Sequence, residues 1–422
     1  MHHRTVCICT FVLMRWNAVT FSREAHSSCV QKARHDDSRS SRRVPNSPTE
    51  FTKNMKSIRL LPVVCVLFSS SLALTHARAV AEEEHGGAVF VMTNAATGNQ
   101  IKAYVRKDDG SLQTAGEFAT GGNGSGGTVD PLHSQGSLIL SADHRWLFAV
   151  NAGSGTVSSF AVDDAHLRLV DTEATNGSSP TALAQSGDLL YVLNAGGNGN
   201  VSGFRVYGGH LHPIANSTTS LSGGATSPTS LAFSPNGKFL VVTESATNNI
   251  DVFRVRPDGT LSGIVVNPSA GAVPFAAVFA PNGALIVGNA SNTISSYRLD
   301  WDQSLDVISN ALPTLGQATC WDVIARGHFV YTANAGTSNL SGFAIAHDGS
   351  LTAIDGTIVG VNPGGSTNID TTASVNGRFV YTLNTGAGAI GIFSVDHDGS
   401  LQRIGEVDGL PAAAGLNGIA AY

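Results

Sequence analysis

Residues 379–401 read FVYTLNTGAGAIGIFSVDHDGSL, and residues 329–351 read FVYTANAGTSNLSGFAIAHDGSL. Each begins with an apolar run that ends in Asn, continues through a Gly/Ser/Asn turn into an alternating stretch, and closes on Asp-Gly-Ser-Leu. Searching outward for the same pattern finds VFVMTN (89–94), LFAVN (147–151), LYVLN (190–194), FLVVTE (239–244) and LIVGN (285–289), so the unit occurs seven times at spacings of 43 to 57 residues. The closing turns are DDGSL, DDAHL, YGGHL, PDGTL, WDQSL, HDGSL and HDGSL. Asp-Gly between two alternating runs is a hairpin signal, because glycine accepts a positive φ without steric cost.

A further apolar segment and polar tight turn precede most copies, as in SLILSADHRW, TSLAFSPNGKF, AAVFAPNGALI and TTASVNGRF. Four short strands in a period of roughly 40–50 residues define a propeller blade. Helical repeats of that length would need apolar spacing at i, i+3 and i+4, which no copy shows. The first copy begins at its second strand, and the chain finishes on an orphan strand-like segment, LNGIAAY (416–422). The expected fold is therefore an all-β, seven-bladed propeller of four-stranded antiparallel blades over 88–422. Its ring is closed by the C-terminal strand joining the first blade, which leaves no exposed edge.

The remainder of the chain differs. Residues 55–79, MKSIRLLPVVCVLFSSSLALTHARA, have a basic start, an apolar centre and the small-x-small ending Ala77-Arg78-Ala79, the pattern of a secretory signal peptide. The stretch is too short and interrupted for a membrane span, and Val64 before Cys65 argues against a lipid anchor. Residues 1–54 are Arg/Ser/His-rich without strand or helix period, and read as a start-site error or a disordered extension ahead of the true start at Met55; 80–87 is a linker. A secreted or periplasmic protein, monomeric, is expected.

The chain after Ala79 holds 13 Lys and Arg against 27 Asp and Glu, a net charge of −14. That balance excludes a nucleic-acid binder, which depends on clustered cations. Of the five cysteines only Cys320 follows Ala79, so stability is expected from packing and ring closure rather than a disulfide. No His/Cys/Asp/Glu set stands at metal-ligand spacing, no cofactor is implied, and the Trp-docking repeats and calcium site of a quinone-dependent dehydrogenase are missing.

Strand direction places the starts of the inner strands and the ends of the second strands at one mouth of the central channel, where ring folds hold ligands. The mouth is expected to gather His133, Gln135, Thr229, Phe275, Cys320 and Trp321 with the second-strand ends Asn94, Asn151, Asn194, Glu244, Asn289, Asn334 and Asn384. Asn in such turns usually bonds its own backbone. Glu244 breaks the series with an ionisable group and is the candidate general base; His133 is the second catalytic candidate. Gln135, Thr229, Trp321, Asn151, Asn194, Asn289 and Asn334 are the candidate substrate contacts.

SQGSLILSADHRWLFAVNAGSGTVSSF, SPTSLAFSPNGKFLVVTESATNNIDVF and ATCWDVIARGHFVYTANAG carry a likeness that spans the whole 88–422 region. It resembles the seven-bladed lactonase family that includes 6-phosphogluconolactonase and 3-carboxymuconate cyclase, and the LYVLN and FVYTAN runs are similar to YVTN-repeat surface propellers. The resemblance implies a carboxylate where Glu244 stands. The family's Pro-Arg-His run is Pro228-Thr229-Ser230 here, and its Pro-His-x-His segment is Leu132-His133-Ser134-Gln135-Gly136. The expectation is an exported hydrolase or isomerase of a small non-phosphorylated lactone, with Glu244 as base and His133 or Gln135 orienting the carbonyl. The rival is a non-catalytic envelope propeller that binds a protein or glycan partner through its mouth.

Overall fold

The computed structural model describes residues 86–422; the leader, the signal segment and most of the linker expected above lie outside them. Seven antiparallel sheets form the blades, each numbered here by its place in the ring. Blade 2 shows the common plan: inner strand Leu138–Leu140, then Trp146–Asn151, Thr156–Asp163 and the outer strand His166–Ala174. Blades 4 to 7 repeat it, and in blade 3 the outer position is shared by two pieces, His210–Pro213 and Thr219–Ser220, on one third strand. Blade 1 takes its inner strand from the other end of the chain. Ile419–Ala421 pairs with Ala88–Met92 in the register Val89↔Ala421, Phe90↔Ala420, Val91↔Ile419, so the ring closes as expected.

The second strands are buried along their whole length, apart from Trp146 at the start of that in blade 2, which is why they read as apolar runs rather than alternations. Their tyrosines explain the repeated sentence. Tyr331 of blade 6 donates its hydroxyl to the carbonyl of Gly399 in the Asp-Gly turn of blade 7 at 2.7 Å, and Tyr381 of blade 7 donates to Gly110 in the turn of blade 1 at 3.1 Å. Tyr191 of blade 3 does the same to Gly259 of blade 4. FVYT and DGSL are thus two halves of a clasp between neighbouring blades. Gly399 must be glycine, because its φ is +87° and a Cβ would lie 2.7 Å from the Phe329 ring.

The asparagines that end the second strands form a second clasp. Asn151 donates Nδ2 to Ser158 Oγ at 2.8 Å, and Ser158 donates to the carbonyl of Thr120 in the connection arriving from blade 1. Asn334, Ser341 and Thr314 repeat this in blade 6, and Asn194, Ser202 and Thr175 in blade 3. Asn289 likewise reaches Ser295. In blades 2, 3 and 6 the arrangement engages the buried amide nitrogen and pins the incoming loop.

Candidate active site

The mouth residues do meet, through one segment. The chain entering blade 2, residues 130–136, crosses the channel and is fastened on nearly every side. Ser134 Oγ donates to Thr181 O in blade 3, and Gln135 N to Thr229 O in blade 4. Gln135 also holds the backbone of Asp322 in blade 6 with both ends of its amide, at 2.8 and 2.9 Å. Trp321 Nε1 donates to Ser134 O at 3.0 Å, and Asp130 accepts from Asn417 Nδ2, beside the closing strand, at 3.1 Å. The segment is a cross-piece over the mouth. Behind it the channel continues as a cavity of about 430 Å³, with Gln135 and Gly136 in its wall and the inner strands of blades 1, 2, 5, 6 and 7 around it.

On the cross-piece sits His133, its side chain 42% exposed. The ring packs edge-on against Phe275 at 4.9 Å, and Phe275 packs in turn against Trp321 at 5.2 Å. Its Nδ1 lies 3.8 Å from Asp130 Oδ2. Partial burial holds the imidazole below its ordinary pKa, so it is neutral and can accept a proton at neutral pH. Burial pushes the Asp130 carboxyl up to about 7, against the lowering effect of the Asn417 amide and of the Ser134 and His133 backbone N–H groups. Both residues are left-handed, at φ +40° for Asp130 and +48° for His133.

Glu244 is elsewhere. It is fully buried at the end of its strand, in the position of the clasp asparagines. Its Oε1 accepts from Ser222 N at 3.0 Å, and its Oε2 from Ser222 Oγ at 2.5 Å and Thr247 Oγ1 at 2.6 Å. The fourth partner is Asp251, seven residues on and also fully buried, where blades 2, 3, 5 and 6 carry the clasp serine. Burial, then the hydrogen bond and charge of Glu244, push Asp251 up to about 9, so it keeps its proton and donates a hydrogen bond to Glu244. Burial opposes ionisation of Glu244, but the donors from Asp251, Ser222 and Thr247 outweigh it and hold this carboxyl below its usual range. The pair carries one negative charge and one proton, and it fastens Ser222 of the loop arriving from blade 3. A base facing solvent was expected at Glu244; the structure gives its carboxylate no open face.

The other candidates also serve the framework. Asn151, Asn194, Asn289 and Asn334 are fully buried and bound as described. Thr229, equally buried, bonds Thr243 and the carbonyl of Phe275. Trp321 is 2% exposed and Gln135 is engaged by Asp322, so neither side chain is available to orient a carbonyl at the mouth. Sequence reasoning missed Asp130 and Asp251. The latter was signalled: NIDVF stands where other blades read TVSSF, NVSGF and NLSGF. Among the described residues no group of three or more His, Cys, Asp or Glu is arranged to hold a metal ion.

A closed ring of seven four-stranded blades with a histidine set at its mouth defines a propeller of the lactonase type. The chain belongs to the family described as lactonase, 7-bladed beta-propeller, whose model matches residues 86–222 and 198–320. A search of curated proteins found no match. Among solved structures, a putative 6-phosphogluconolactonase from Bacteroides uniformis shares 19% identity at a TM-score of 0.63, covering 80% of this chain and 99% of that one. A second, from Bacteroides fragilis, shares 20% at 0.62, covering 81% and 99%. The periplasmic gluconolactonase of Pseudomonas aeruginosa shares 20% at 0.61, covering 79% and 99%. These likenesses establish the fold.

Proposed function

We propose that the protein opens a small non-phosphorylated lactone at the channel mouth, with His133 as general base. The observation that carries the reading is the neutral, half-exposed imidazole of His133 with the Asp130 carboxyl behind its Nδ1 and the Phe275 and Trp321 rings beside it, in a chain of the lactonase family. Water bound over His133 would lose a proton to the ring nitrogen as its oxygen attacks the lactone carbonyl. Collapse of the tetrahedral adduct breaks the ring C–O bond, and the imidazolium returns the proton to the departing alkoxide. One water is consumed and a hydroxy acid is formed. In its ionised form Asp130 favours the charged imidazole of the intermediate step. The non-phosphorylated substrate is supported by the placement of Arg145, Lys238, Arg326 and Arg378, which occupy the turns between inner and second strands at the end of the blades away from His133. A phosphate normally requires such cations beside it.

The test is a hydrolysis screen of the chain from residue 80 against aldonolactones and simple γ- and δ-lactones. The His133→Gln variant should lose ~10²-fold in turnover, the usual scale of acid–base catalysis, with unchanged melting. Turnover that survives this change excludes His133 as the base. No turnover by the parent chain favours the rival reading, a mouth that binds a protein or glycan partner.

A further inference from the structure

On the face opposite the mouth, where blades 3, 4 and 5 meet, lies a cleft of about 360 Å³. Four of its residues are cationic, Arg205, Lys238, Arg254 and Arg256, and its edge is Trp301, which is 62% exposed. Such a grouping is unexpected here, because residues 86–422 contain 13 Lys and Arg against 24 Asp and Glu.

The cations differ in what holds them. Arg205 forms a two-pronged pair with Asp188 at 2.8 and 2.6 Å. Among the described residues, the other three have no carboxylate within ion-pair distance. Arg254 donates to the carbonyl of Trp301, and Arg256 to the carbonyl of Leu261 and, at 3.4 Å, to Thr260 Oγ1. The Lys238 ammonium stands over the Trp301 ring, 4.7 Å from its centroid. Asp258, in the turn after Arg256, is occupied by Thr260 through its Oδ1, although the charge of Arg256 is felt there. Like charges gathered around one cleft repel, and an anion in that cleft removes the repulsion. Arg254 engages a backbone oxygen through Nη2 and Arg256 through Nη1, and since a guanidinium carries five N–H donors, others remain for a ligand.

We infer that this cleft binds a sugar acid, its carboxylate held by Lys238, Arg254 and Arg256 and the apolar face of its ring laid against Trp301. The ammonium and the guanidinium groups supply the charge. The spare N–H donors suit several hydroxyl groups as well as a carboxylate, and the exposed indole supplies a flat apolar surface at one edge. A concave site edged by a single aromatic fits one ring better than a membrane plane does. The site stands at the other end of the blades from His133, so it does not depend on the lactone reading.

Ligand-observed saturation-transfer NMR on the chain from residue 80 tests it with glucuronate as probe. Glucose supplies a ring without charge, inorganic phosphate charge without a ring, and benzoate an aromatic acid without hydroxyls. Glucuronate should bind at least tenfold more tightly than any of the three and weaken as salt is added. Lys238→Gln should weaken it by about tenfold, the scale of one charge-assisted contact, and Trp301→Ala by about three- to tenfold, the scale of one lost ring contact; both residues are exposed, so melting should be unchanged. Equal binding of phosphate, glucose or benzoate, or no binding of glucuronate, overturns the assignment. So does tight binding to phosphatidylglycerol vesicles that Trp301→Ala abolishes, which would make the cleft a membrane contact.

Discussion

Replacing Glu244 by glutamine separates a fastening role from a catalytic one. The amide keeps the shape of the side chain but has one acceptor oxygen where the carboxylate has two. Ser222 Oγ and Thr247 Oγ1 are hydroxyls, and either can turn from donor to acceptor to meet an amide N–H. Ser222 N cannot reverse, but it is also within 3.1 Å of Asp251 Oδ2 and keeps that partner. What is lost is therefore close to one charge-assisted hydrogen bond, ~1.5–3 kcal/mol. Domains of 150–250 residues shift by ~2–4 °C per kcal/mol, and this larger one by ~1.4 °C per kcal/mol, so a fall of ~2–4 °C in melting temperature is expected. Asp251 loses the charge that, with burial, raised it, so its pKa should drop in the variant. The double change Glu244→Asn with Asp251→Ser recreates the neutral clasp of the other blades and should recover much of the loss. Lactone turnover at a temperature where both proteins are folded should stay within about threefold, since the carboxylate lies outside the proposed chemistry. Differential scanning calorimetry and a turnover assay decide the matter together. An unchanged melting temperature refutes the clasp, and a ~10²-fold loss of turnover in a folded variant would return Glu244 to the chemistry.

Three further outcomes are expected. Burial pushes Asp130, Asp322 and Asp370 up to about 7 and Asp251 to about 9, so between the unfolded carboxyl pKa near ~4 and these values the folded chain binds more protons than the unfolded one. Stability should then fall as pH rises from ~5 to 8, by up to ~1.4 kcal/mol per unit for each such proton, and Asp370→Asn should flatten the slope; melting temperatures that hold or climb over that range refute it. Deleting residues 416–422 removes the inner strand of blade 1 and the Asn417 bond to Asp130, and should give a protease-sensitive, aggregating product in limited proteolysis, whereas unchanged melting would mean the ring closes otherwise. A chain begun at Met55 should be exported and cut near Ala79; N-terminal sequencing of the secreted product checks this, and a product that keeps Met55 at its terminus, or a chain that is not exported, would refute it.

The architecture was legible because each blade repeats the same local chemistry. An apolar run long enough to be buried on both faces, an asparagine at its end and an Asp-Gly turn after the next strand are all short-range signals. The Tyr331–Gly399 clasp shows why they recur together, since each half of the motif needs the other in the adjacent blade. The site was less legible, because its parts are joined over long separations. Gln135 and Asp322 are 187 residues apart, and nothing within Leu132–Gly136 says that it crosses a channel. His133 was picked out as a loop histidine, but its aromatic neighbour and the carboxyl behind it depend on that crossing. Glu244 was rightly seen as a break in a column of asparagines. Its meaning lay in the matching break at Asp251 in a column of serines, which requires reading two adjacent strands against each other.

Ring closure also sets an order of events. Blades 2 to 7 are built from neighbouring hairpins and can form as the chain emerges, N-terminal parts first. Blade 1 cannot, because Val89 must await Ala421, at the far end of the ring. The loop entropy of that meeting is modest, ~5 kcal/mol on a logarithmic scale, so the delay rather than the free energy is the burden. Ala88–Met92 can pair with Gln100–Arg106 at once, but its inner side is the last in the ring to be covered. Until Ile419–Ala421 arrives, Ala88–Met92 presents a bare apolar edge on its inner side, and a chain that lacks this strand seeks an edge partner in another molecule rather than forming a slightly smaller propeller.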